Sequence, residues 1–132
     1  MYVKEKTAEL HDMGFNCAQC VLCCCREITG LEDSTALAVS GGFGGGLRSG
    51  EICGAVSGGV MALGMARPFN KPGDMAAKAE VGAVTKRFVD TFREKYGAVT
   101  CRELLGQPED RSRCGEFIAY CAELAETMAK EK

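Results

Sequence analysis

Four cysteines fall where helices begin, and that placement restricts both the fold and the chemistry of the chain. Cys17, Cys101 and Cys114 lie in the strings Asn16-Cys17-Ala18-Gln19, Thr100-Cys101-Arg102-Glu103 and Arg113-Cys114-Gly115-Glu116. Asn or Thr followed three residues later by Gln or Glu is a helix-start signature, so the cysteine takes the first helical position. Cys53 stands at the expected start of another helix. A helix start carries unpaired N–H groups and a partial positive charge, which favours thiolate over thiol. Thiolates are metal ligands and nucleophiles. The chain is therefore patterned to hold several sulfur anions.

The rest of the sequence reads as helix throughout. Val3, Thr7 and Leu10 mark one face of a first helix that ends near Gly14. Asn16 caps a second, with Cys17, Val21, Cys24 and Ile28 at helical spacing and Gly30 at its end. It is apolar nearly all round until Arg26-Glu27, so it is expected to be central. Asp33 is expected to cap a short helix over 34–40. The run Gly41-Gly42-Phe43-Gly44-Gly45-Gly46 cannot be regular helix without large entropic cost. A fourth helix is expected over about 52–65. On it Gly54 and Gly58 lie one turn apart, as do Ala55 and Gly59, and admit another backbone closely. Asp74 caps the longest helix, whose stripe is Ala77, Val81, Val84, Phe88, Phe92 and Tyr96, and Gly97 stops it. Thr100 starts a short helix ended by Gly106. A polar loop, Gln107-Pro108-Glu109-Asp110-Arg111-Ser112, precedes a last helix with Phe117, Cys121, Leu124 and Met128 on one face. No strand pattern, repeat or linker is found. The expected fold is all-α: one compact domain over residues 1–132, a bundle of about six helices with a glycine-rich loop.

The net charge of −2 gives no reason to expect nucleic acid or an anionic membrane as partner. The N-terminal stretch Met1-Tyr2-Val3-Lys4-Glu5-Lys6 lacks the apolar core of a signal peptide, and no apolar run reaches membrane-spanning length. A cytoplasmic, reducing location is expected. There, nine cysteines in 132 residues suggest metal binding or catalysis more than a disulfide framework.

Four helix starts, each with roughly half a positive charge, would offset roughly two negative charges if they met. A zinc tetrathiolate carries that charge, and so does an oxidised two-iron cluster on four cysteines. None of the four pairs as C-x-x-C with another, which takes weight from zinc, and no ferredoxin spacing links them. Cys20, Cys23, Cys24 and Cys25 lie within the second helix and read as small buried hydrophobes. Cys121 lies on an apolar stripe and reads the same way. His11, the only histidine, fits a surface or packing role better than a site role. Gly44, Gly45 and Gly46, with Gly54, are candidates to bring bare N–H groups close to sulfur or a bound anion, and Arg48 could add charge there.

The string Cys53-Gly54-Ala55-Val56-Ser57-Gly58 spells C-G-A-x-x-G. With Asn16-Cys17-Ala18-Gln19 before it, and Cys101-Arg102-Glu103-Leu104-Leu105-Gly106 and Arg113-Cys114 after it, the chain resembles the C-GCAxxG-C-C family from Asn16 to about Ala122. Those are small redox-active proteins with four characteristic cysteines. The resemblance implies that Cys17, Cys53, Cys101 and Cys114 are the family set. It also implies electron transfer or thiol chemistry, without naming a substrate. The chain departs from the pattern in its extra cysteines and in Gly115, where proline is common.

Three functions compete. In the first, the four cysteines bind an iron–sulfur cluster and pass electrons to a redox partner protein. The second is a metal-free thiol–disulfide oxidoreductase or redox sensor. The third is a structural zinc-binding helical module. The small residues of the fourth helix also permit a homo-oligomer.

Overall fold

The computed structural model describes residues 2–107 and 109–131. Pro108, expected within the polar loop, lies outside the described residues. Eight α-helices are present among them: α1 (Tyr2–Asp12), α2 (Cys17–Cys24), α3 (Arg26–Thr29), α4 (Asp33–Ser40), α5 (Gly54–Ala66), α6 (Met75–Tyr96), α7 (Cys101–Leu105) and α8 (Cys114–Ala129). The described residues contain no strand, only one isolated antiparallel bridge between Ile52 and Thr100. None of the described helices is long and apolar enough to cross a membrane.

Helix α2 is the centre, as its all-round apolar surface predicts. Seven of its eight residues are buried, and it packs against α1, α4, α5 and α8. Asn16 starts it. The Asn16 side chain accepts from the Gln19 N–H at 3.0 Å, and the Gln19 side chain accepts from the Asn16 N–H at 3.0 Å. The two amides also reach outward. Asn16 Nδ2 donates to Gly41 O at 3.0 Å and Gln19 Nε2 to Leu37 O at 2.9 Å. The capping box thus ties the start of α2 to the end of α4. Asn16→Ala is expected to cost about 1–2 kcal/mol. Urea unfolding should show a lowered midpoint with an unchanged slope, and an unmoved midpoint would refute the assignment.

Close packing of α5 on α2 follows from its small residues. A Cβ on Gly58 would lie 2.8 Å from Ala18 O, and one on Gly54 would lie 3.1 Å from Ala18 N. On the adjacent face, a Cβ on Gly59 would lie 2.3 Å from the Phe88 ring of α6. Asp74 caps α6 by accepting from the Ala77 N–H at 3.0 Å, and Gly97, at φ 82°, ends it. Phe92 and Tyr96 of α6 meet Phe117 and Tyr120 of α8 in tilted and edge contacts. Val84, Phe88 and Phe92 are buried, whereas Ala77 and Val81 are only half-buried, so the α6 stripe is covered mainly over its second half.

Three boundaries differ from expectation. The second helix breaks at Cys25, where the last turn tightens and the Cys25 N–H bonds Leu22 O. The bend lets Arg26 and Glu27 reach solvent while Cys23, Cys24 and Cys25 stay buried. Asp33 is the first residue of α4 rather than its cap, and its carboxylate lies 3.5 Å from Arg26. Helix α5 starts at Gly54, not near Ile52. The reason is tertiary: Ile52 bridges to Thr100, and the Cys53 N–H donates to Val99 O at 2.8 Å.

Candidate functional site

Cys17 and Cys114 are the first residues of α2 and α8, Cys101 is the first residue of α7, and Cys53 precedes α5. Folding brings all four to one place. They line a single cavity of about 10 Å³, closed by Gly45, Gly54, Leu104, Leu105 and Phe117. That is room for at most about one water molecule. Two contacts set the convergence. The α2–α5 packing places Cys17 beside Gly54, where a Cβ would lie 3.2 Å from Cys17 Cβ. The backbone pair Cys53 N–H to Val99 O and Cys101 N–H to Glu51 O, at 2.8 and 2.6 Å, locks the Cys53 and Cys101 segments together. All nine cysteines are free thiols.

The four sulfurs are not equivalent. Cys17, Cys53 and Cys114 are buried, and Cys101 is partly exposed. Cys17 and Cys114 share the cavity wall, near enough for each sulfur to act on the other's proton. The neighbouring Cys17 thiol, helped by Arg111 and by nearby His11, lowers Cys114 from the ordinary 9.0 to about 6. The same interaction raises Cys17, and burial adds to it. The two shifts run in opposite directions, so Cys114 is the member of the pair that gives up its proton first. Burial lifts Cys53 to about 11, although the Ala55 and Val56 N–H groups at the start of α5 face its sulfur and offset part of the cost. Among the described residues, no group of three or more His, Cys, Asp or Glu side chains is placed to hold one metal ion.

The remaining cysteines stay in the core. Cys20, Cys23, Cys24, Cys25 and Cys121 are at most 8% exposed. Cys24 Sγ donates to Val3 O at 3.4 Å, and burial pushes Cys20, Cys24 and Cys25 up to about 12. They are neutral thiols that pack as hydrophobes do.

The glycine run divides. Gly45 and Gly54 line the cavity. Gly44 instead packs over the α2 cap, where a Cβ would lie 2.5 Å from Asn16 Cβ, and Gly46 packs on its own turn, where a Cβ would lie 2.3 Å from Glu51 O. The turn after Gly44 is unusual. Gly45, Gly46, Leu47 and Arg48 are all left-handed, at φ 65°, 64°, 62° and 59°. Leu47 and Arg48 carry side chains, and such backbone costs them roughly 1–2 kcal/mol each. Arg102 of α7 holds the turn. It donates to Gly50 O at 3.3 Å and Ser49 O at 3.2 Å and pairs with Glu51 at 2.8 Å.

Two residues of the site escape sequence reasoning. Arg111 reads as part of a polar loop, yet its charge acts on Cys114. His11, assigned to the surface, lies close enough to act on Cys114, and it shares a surface cavity with Gly115. The only signal for Arg111 is a positive charge three residues before a helix-start cysteine.

A family model described as "Putative redox-active protein (C_GCAxxG_C_C)" matches residues 15–128. The chain belongs to this family. The match spans all four cysteines of the cavity and every helix from α2 to α7, together with nearly all of α8. Membership in the C_GCAxxG_C_C family makes the chain a cysteine-rich, all-α member of a group described as redox-active. No curated protein and no solved structure matches it.

Proposed function

We propose that the protein is a thiol–disulfide redox protein in which Cys114 and Cys17 are the working pair. The observation that carries this is the shared cavity, on which Cys17 and Cys114 lie near enough for each to act on the other's proton, with the Arg111 charge also acting on Cys114. Two thiols on one cavity wall, one of them the readier to ionise, are the reduced half of a dithiol–disulfide couple. Oxidation removes two electrons and leaves a Cys17–Cys114 bond; the acceptor is a disulfide that becomes two thiols. Cys53 and Cys101 complete the cavity, and Cys101 is the sulfur nearest solvent.

A second reading has its own support. Four thiols from four segments around one cavity are the donor set of an iron–sulfur cluster or of zinc. Their spacing does not fit either group as it stands, because the cavity is about 10 Å³ and no three donors are placed for one ion among the described residues. Cys17, Cys53, Cys101 and Cys114 would have to spread to take either; a cluster would then exchange electrons with a partner protein, whereas zinc would serve structure alone.

One preparation tests both. Protein isolated anaerobically is analysed for iron, zinc and acid-labile sulfide, then oxidised with one equivalent of a small disulfide and mapped by mass spectrometry. The expected result is a reversible Cys17–Cys114 disulfide in metal-free protein, lost in Cys114→Ser. Stoichiometric iron with sulfide, or zinc, and no such disulfide would overturn the thiol reading and favour the second.

A further inference from the structure

Cys101 faces two ways. It lines the inner cavity with the other three sulfurs, and it also lines an outer pocket of about 470 Å³ whose walls include Gly45, Ser49, Arg48, Arg102 and Arg111. The volume suits a small molecule. Its charge is one-sided. Arg102 is paired with Glu51, but Arg48 and Arg111 have no carboxylate partner among the described residues. Arg48 reaches the pocket from the left-handed turn, whose two strained non-glycine residues are Leu47 and Arg48 itself. Strain of this kind persists where surrounding structure over-determines it, and it clusters at ligand sites. Arg111 walls the outer pocket, and its charge acts on Cys114 of the inner cavity. No other cysteine lines the outer pocket.

We infer that this arginine-walled pocket docks a small anionic disulfide, carboxylate-bearing, and presents its sulfur to Cys101. The inference rests on the thiol-redox reading and adds the substrate class and the entry point. Guanidinium groups bind carboxylates through paired charge-assisted hydrogen bonds, which suits Arg48 and Arg111 to the two ends of such a molecule. The chemistry balances in three exchanges. Cys101 Sγ attacks one substrate sulfur, forming a mixed disulfide and expelling the first thiolate, which takes the Cys101 proton. The Cys114 thiolate attacks Cys101 Sγ and expels the second thiolate, which takes a proton from solvent. Cys17 Sγ then attacks Cys114 Sγ, its proton passing to Cys101. The net change is one substrate disulfide reduced to two thiols and one Cys17–Cys114 disulfide formed. Cys101 is returned as a thiol.

The test compares two probes on the reduced full-length protein: the dianionic disulfide dithiobis(nitrobenzoate) and the uncharged disulfide dithiodipyridine. Each rate is normalised to that of a free cysteine peptide. The dianion is expected to react about tenfold faster than the uncharged probe, with the preference falling as salt rises. In Arg48→Asn the dianion rate should drop roughly fivefold while the uncharged rate stays put. Asparagine tolerates left-handed backbone, so this variant keeps the turn while removing the charge. Equal normalised rates for both probes, or a dianion rate that Arg48→Asn leaves unchanged, would overturn the pocket assignment. So would first attack mapped to a cysteine other than Cys101. The thiol-redox reading fails separately. If Cys101 is labelled selectively and only one nitrobenzoate thiolate is released, the pocket is supported and the Cys17–Cys114 couple is not.

Discussion

Ultraviolet titration of the reduced protein is expected to show one thiolate forming near pH 6, far below the ordinary thiol range, and Cys114→Ser is expected to remove it. The wild-type minus Cys114→Ser difference isolates the group. Its background is favourable, since Cys53 ionises near 11 and Cys20, Cys24 and Cys25 near 12. The largest cause of the low value is the neighbouring Cys17 thiol, followed by Arg111. Cys17→Ala should therefore raise the midpoint most and Arg111→Gln by less. Stability follows with a definite sign. Cys114, depressed from 9.0 to about 6, contributes stability that is lost as pH falls from 9.0 through about 6, while Cys17, raised by the same interaction, takes stability away above 9.0. Acid should thus unfold the wild type more readily than its behaviour near neutrality suggests, and Cys114→Ser should flatten that part of the pH profile. A difference midpoint in the ordinary thiol range would sink the assignment of Cys114 as the thiolate.

Gly58→Val is expected to cost the fold about 3 kcal/mol or more, the upper end of overpacking penalties. The α5 surface at Gly58 meets the backbone of α2, with a Cβ lying 2.8 Å from Ala18 O, 3.0 Å from Val21 Cβ and 3.3 Å from Ala18 Cα. Ala18 and Val21 are completely buried, so neither can swing aside. The helices would have to part, and they carry Cys17 and lead from Cys53. The same variant should therefore abolish the thiolate signal near pH 6. Gly64→Ala supplies the control. It lies on the same helix with nothing within 4 Å of an added Cβ, so it should stabilise by up to about 1 kcal/mol. Urea denaturation of the two variants reads both signs. A tolerated valine at position 58 would mean that α2 and α5 are not packed backbone to backbone.

Much of the architecture is local information. Asn16, Thr100 and Asp74 announce their helices because a side-chain oxygen three residues before a backbone N–H satisfies it wherever the chain goes. Gly30 and Gly97 end theirs because left-handed backbone suits a residue without Cβ. The central place of α2 could be read from its lack of a polar face. The start of α5 could not, because it is displaced by a bridge between Ile52 and Thr100, 48 positions apart. The Leu47-Arg48 turn was equally hidden. Neither residue favours left-handed backbone; the Arg102 clamp, the Glu51 N–H to Gly46 O bond and the packing of Gly46 on Glu51 hold it there.

Which sulfurs differ from the rest is already written in the linear chain. Cys17, Cys53, Cys101 and Cys114 stand at helix starts, while Cys20, Cys23, Cys24, Cys25 and Cys121 lie inside helical stripes. That distinction is one of backbone position, which capping and periodicity reveal. The capacity of each of the four is a property of the folded molecule. Which sulfur meets solvent, which one shares a proton, and which receives Arg111 and His11 depend on distances across segments remote in the chain. Charge and burial act through space, and a linear string of residues carries no record of those distances.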